Sequence, residues 1–83
     1  MRWAATVRPH GVDRLLVSIT RSDVDEVIRE SVNAMPYEAA ARAVLGAWDY
    51  SDIEVVSMSD PGPLGVAWIN GIARRDEPWT TGL

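Results

Sequence analysis

Acid–base chemistry in this chain would have to start from His10, the one histidine in 83 residues. It lies in Pro9-His10-Gly11-Val12-Asp13, and Asp13 is the nearest acid. A general base needs an orienting partner and a substrate within hydrogen-bond reach. A histidine and an aspartate sharing one turn meet neither need by spacing, so His10 reads as a solvated turn residue. Ser51, Ser57 and Ser59 have no histidine close in sequence, and a hydrolase triad would have to recruit His10 from afar. There is no cysteine, which excludes thiol nucleophiles, disulfides, zinc fingers and iron–sulfur sites. Carboxylates alone would form at best a weak site for a hard cation. Gly62, Gly65 and Gly71 do not open a helix, so none of them belongs to a phosphate-cradling loop. The expectation is a non-enzymatic protein with no cofactor and no metal.

The carboxylates are the next candidates. Asp23, Asp25, Glu26 and Glu30 cluster in one stretch, and Asp49, Asp52 and Glu54 in another. If residues 22–30 are helical, several of these acids share an exposed side. Such a surface can occupy a basic groove built for nucleic acid, because spaced carboxylates answer the arginines that otherwise hold phosphates. The plain alternative is solvation and helix capping. All eight basic residues are arginine, and each can make a planar forked contact. Arg8 and Arg14 flank the first turn, and Arg74-Arg75 follow the last apolar run. They read as a solvated rim, with contact to an anionic partner as the alternative. The formal net charge of −4 argues against direct binding of nucleic acid.

These residues must be positioned by a small frame. At this length one domain is expected, with a thin core. Residues 2–8 alternate, with Trp3, Ala5 and Val7 on one side, and Leu15, Val17 and Ile19 repeat the pattern after the turn. This predicts a hairpin over 2–20. Residues 22–34 are open between two readings. Ser22 followed by Asp23, Asp25 and Glu26 resembles a capped helix start, with acids at the positive end of the helix dipole. As a strand, the stretch would put Ile28, Val32 and Ala34 on one face with Glu26 and Glu30. Residues 36–49 predict an amphipathic helix. Pro36 suits the first helical position. Tyr37, Ala40, Ala41, Val44, Leu45 and Trp48 form one stripe, and Glu38 and Arg42 form an i, i+4 pair opposite. Strands are expected near 53–58 and 65–73, separated by a Pro-Gly-Pro loop.

The fold class is therefore α+β, a small antiparallel sheet packed on helix 36–49. A single domain over 1–73 would carry a loose tail at 74–83. Trp48 is expected in the core, where its loss would unfold the domain. The later strands carry apolar residues on both sides, and one helix can cover only one face. The second face, around Trp68, would be an exposed apolar patch suited to association, unless a second helix or Trp79 in the tail covers it. No run is long and apolar enough for a membrane span, and the N-terminal residues lack a signal-peptide core. A cytoplasmic protein without membrane contact is expected.

The stretch Asn33-Ala34-Met35-Pro36-Tyr37-Glu38-Ala39-Ala40-Ala41-Arg42-Ala43, followed by Asp52-Ile53-Glu54-Val55-Val56, resembles small phage-encoded accessory proteins such as anti-CRISPR proteins. The resemblance implies stoichiometric binding to a host defence complex without catalysis, and it transfers no functional residue. The sequence thus points to a protein-binding module that works through Asp23, Asp25, Glu26, Glu30, Trp68 and Trp79. Its partner would be a protein, of a kind that itself handles nucleic acid. A homodimer pairing through the sheet face is the alternative.

Overall fold

In the computed structural model, which describes residues 1–76, the alternation of residues 2–8 becomes strand β1 (Arg2–Pro9). Its Trp3, Ala5 and Val7 are buried, while Arg2, Ala4 and Arg8 face out. Strand β2 (Arg14–Arg21) returns antiparallel to it and buries Leu15, Val17 and Ile19 on the same side. This is the expected hairpin.

Residues 27–33 settle the ambiguous stretch as a strand, β3 (Val27–Asn33), antiparallel to β2. Ile28 pairs with Ile19 and Val32 with Leu15, so both extend the apolar face. Glu30 shares that face, which is why the strand pattern looks impure. Trp48 Nε1 donates to its carboxylate at 3.3 Å, so the charge sits at the margin of the core with a partner. The helical reading of 22–34 is corrected, because cross-strand packing onto β2 outweighs the local capping signal.

Helix α1 (Tyr37–Ala47) follows. Pro36 is its N-cap, with ψ at 136°, and not its first helical residue. Ala40, Ala41, Val44 and Leu45 are buried, and the two alanines let the helix lie close to the sheet. The Glu38–Arg42 ion pair forms at 3.1 Å. The helix ends at Trp48, and Asp49 turns the chain with φ at 67°. Aspartate is among the few non-glycine residues that tolerate this left-handed conformation.

Strand β4 (Tyr50–Met58) starts three residues earlier than expected, and β5 (Ala67–Arg75) runs two residues further. Arg74 and Arg75 therefore belong to the sheet and not to a tail. The order is β3-β2-β1-β5-β4, antiparallel throughout, so the sheet has five strands and the fold is α+β. The β4–β5 register slips between Ser51 and Glu54 and again between Val55 and Ser57. Gly71 fits this irregular pairing. A Cβ there would stand 1.8 Å from the Glu54 carbonyl oxygen and 2.8 Å from Trp3.

All of α1 lies on one face of the sheet. The buried residues of β1, β2 and β5 point toward it. Among the described residues nothing packs on the opposite face. No described helix is long and apolar enough to cross a membrane.

Candidate functional site on the open sheet face

Two regions concentrate arginine and tryptophan. The first lies at the margin of the helix-covered face. Arg21 is buried at the end of β2, its guanidinium 5.5 Å from the ring centroid of Trp48 and 5.9 Å from that of Tyr50. It donates to the Tyr50 hydroxyl at 3.2 Å and to the Glu26 carbonyl oxygen at 3.2 Å. Arg75 donates to the same hydroxyl at 2.9 Å, and Tyr50 in turn donates to Asp23 at 3.1 Å. Asp23 closes the set with an ion pair to Arg75 at 3.3 Å. Two cations, one carboxylate and one phenol thus partner each other, although the buried Arg21 Nε has no hydrogen-bond acceptor among the described residues.

This arrangement relocates the predicted acidic surface. Asp23 and Glu30 are held by the fold itself, through Tyr50, Arg75 and Trp48. Asp25 and Glu26 are exposed in the β2–β3 connection. The four carboxylates do not line one helix face, because there is no helix there. Trp48 is also placed differently from the expectation. It is 41% exposed and caps the cluster, so it is a half-covered lid and not the centre of the core. Ile19, Ile28, Leu45 and Ile69 fill that centre. Trp79 lies outside the described residues. His10 is exposed in the β1–β2 turn, where its backbone N–H bonds to the Arg14 carbonyl oxygen. Among the described residues, no three His, Asp or Glu side chains come together as a metal-holding group.

The second region is the uncovered face. Strand alternation and register put Arg2, Arg8, Arg14, Arg29 and Arg74 on it, five of the eight arginines, with Asp52 and Glu54 as its only carboxylates among the described residues. Arg74 pairs with Asp52 at 3.2 Å. Arg14 is tied to Ser31 and Asn33 by three hydrogen bonds. The guanidinium groups of Arg2, Arg8 and Arg29 have no hydrogen bond or ion pair among the described residues. Trp68 stands between strands β1 and β4 with 65% of its surface exposed.

Register gives this face its geometry. Arg29, Ser18, Thr6 and Trp68 are direct cross-strand neighbours on β3, β2, β1 and β5. The row spans three strand gaps, about 14 Å. Arg8 lies diagonal to Trp68, two residues beyond Thr6 on β1, within reach of a long side chain. A shallow depression of about 440 Å³ lies along this row, lined by Arg8, Arg29, Thr6, Ser18 and Trp68 together with the apolar Leu16 and Val66. Separate hollows of about 420 and 640 Å³ lie beside Arg2, the first reaching Asn70 and the second lined also by Ile72, Asp52 and Glu54. The arrangement offers forked donors, hydroxyls and one aromatic plane to an anionic or planar ligand. It holds no nucleophile with a base beside it.

Trp68 was legible in advance from its position in a two-sided strand. Arg29 carries no such signal in the sequence, because it acquires its neighbours only once 27–33 is a strand. Comparison of the chain with protein-family models, with curated proteins and with solved structures finds no match.

Proposed function

We propose that this protein is a non-enzymatic binding module whose working surface is the open face of the sheet. The observation that carries the reading is the set of unpartnered guanidiniums on the face of exposed Trp68, with Arg8 diagonal to it, Arg29 at the far end of its cross-strand row and Arg2 further along β1. Folding gains nothing from leaving these groups together without carboxylates, whereas a partner gains both stacking and charge-assisted hydrogen bonds from them. The acidic stretch contributes less than its composition suggests, since Asp23 and Glu30 already serve the fold.

The test is a capture experiment with the immobilised chain and a Trp68→Ala variant of unchanged melting temperature. The expected result is loss of whatever macromolecule the parent retains at physiological salt. Equal retention by both places the working surface elsewhere. Pairing of the sheet face with a second copy is the alternative, and light scattering that shows a concentration-independent monomer removes it. The narrower reading, a stoichiometric inhibitor of a host defence complex, is supported only by the resemblance of residues 33–43 and 52–56. Inhibition that saturates at one chain per complex is its signature.

A further inference from the structure

We propose that the open sheet face binds single-stranded nucleic acid, with a base stacked on Trp68 and the phosphate backbone crossing the strands towards Arg8 and Arg29. This names the occupant of the surface proposed above and rests on that reading.

Charge distribution supports it first. The chain as a whole is acidic, at −4, but the acids lie mainly in loops, on the helix and along the helix-covered side. The open face holds five arginines against Asp52 and Glu54, and both of these carboxylates sit on β4, at one edge of the sheet. An anionic strand laid over β3, β2 and β1 would meet Arg29, Arg8 and Arg2 without crossing a carboxylate on those strands' outer faces.

The chemistry of the surface distinguishes the class of anion. Single-stranded nucleic acid is held by an aromatic plane that stacks an exposed base and by cations that track the backbone. Trp68 supplies the plane, and the row Thr6–Ser18–Arg29 supplies hydroxyl donors and a fork over two strand gaps, about 10 Å. A duplex would keep its bases stacked away from Trp68. A protein partner would cover Leu16, Val27, Trp68 and Ile72 on this face, but it would also have to match the hydroxyls of Thr6 and Ser18 and three guanidiniums across the interface. A second copy of this chain in a two-fold pair would bring the free arginines of one face towards those of the other.

The experiment is fluorescence anisotropy on the full chain with labelled oligo-dT and oligo-U of about 12 nucleotides, a length within the usual site sizes. A duplex of the same length and an acidic peptide of equal charge serve as comparison ligands. Both oligonucleotides are expected to bind more tightly than either comparison. Three phosphate contacts give a slope of about −2 in log affinity against log salt, roughly a 20-fold loss from about 50 to about 200 mM. Trp68→Ala should weaken binding about 5- to 150-fold, and Trp68→Tyr should restore most of it. Arg29→Gln should reduce the salt slope by about 0.7.

Absence of oligonucleotide binding at low salt overturns the proposal, as does equal affinity for the duplex or the peptide. A salt slope that Arg8→Gln and Arg29→Gln leave unchanged does the same. If the oligonucleotides fail while the acidic peptide binds, or a dimer forms, in a Trp68-dependent way, the occupant is wrong and the open face remains the working surface. If nothing that binds depends on Trp68, both readings fall.

Discussion

The Arg21–Tyr50–Asp23–Arg75 cluster and the open face around Trp68 are built from the same residue types and end in opposite conditions. In the cluster, each guanidinium faces an acceptor, and Trp48 and Tyr50 lie against Arg21. On the open face, Arg2, Arg8 and Arg29 and the ring of Trp68 have no such complement among the described residues. The difference is where the carboxylates fall. Asp23 is delivered by the β2–β3 connection to the helix-covered side, while the outer sides of β1, β2 and β3 carry none. Partnered arginines hold a fold together, and unpartnered ones on a bare sheet are available to a ligand.

The largest expected effect breaks the frame both regions share. Strand β5 carries Trp68 outward and Arg75 inward, and Gly71 sits between them. Gly71→Ala would drive a methyl into the Glu54 backbone, so a loss of about 3 kcal/mol or more is expected, read as a collapsed urea midpoint. Near-native stability would show that the β4–β5 pairing yields more easily than its geometry implies.

Asp23→Ala comes next. It leaves Arg21 and Arg75 facing one another across Tyr50 without their carboxylate. A loss of about 1–2 kcal/mol is expected after allowing for partial exposure, and it should shrink at high salt because one contribution is an ion pair. Trp48→Ala should cost about 1–2 kcal/mol and not unfold the domain, since the ring is 41% exposed and its main partners are Arg21 and Glu30. Thermal melts that place Trp48→Ala below Asp23→Ala by several kcal/mol would make the tryptophan a core residue after all.

The smallest effect is the sharpest contrast. Trp68→Ala and Arg29→Gln should each alter stability by less than about 0.5 kcal/mol, because neither side chain is buried or partnered. A marked drop in the urea midpoint of either would assign the open face to the fold and not to a partner.

Much of the frame was legible in the residues. The period of two at Trp3, Ala5, Val7 and at Leu15, Val17, Ile19 marks β1 and β2, and the stripe Ala40, Ala41, Val44, Leu45 marks α1. Where the residues left a choice open or pointed elsewhere, a partner distant in sequence made the difference. Residues 27–33 became a strand because β2 offered Ile19 and Leu15 to Ile28 and Val32. Trp48 moved outward because Glu30, 18 residues away, took its N–H. Asp23 ceased to be a free surface acid because Tyr50 and Arg75 came to it from the far side of the helix.

The sequence by itself determined that this is a small α+β domain without cysteine, with an amphipathic helix at 36–49, a stretch at 22–34 open between helix and strand, and apolar residues on both faces of the later strands. Those properties follow from local periodicity and composition. Only the tertiary structure decided which charges answer each other. Sheet order and register bring Arg29 of β3 into line with Trp68 of β5, with β2 and β1 between them, while the β2–β3 connection carries Asp23 to the opposite side. Electrostatic partnership depends on distance in space. An overall charge of −4 can therefore coexist with a sheet face dominated by unpaired arginine.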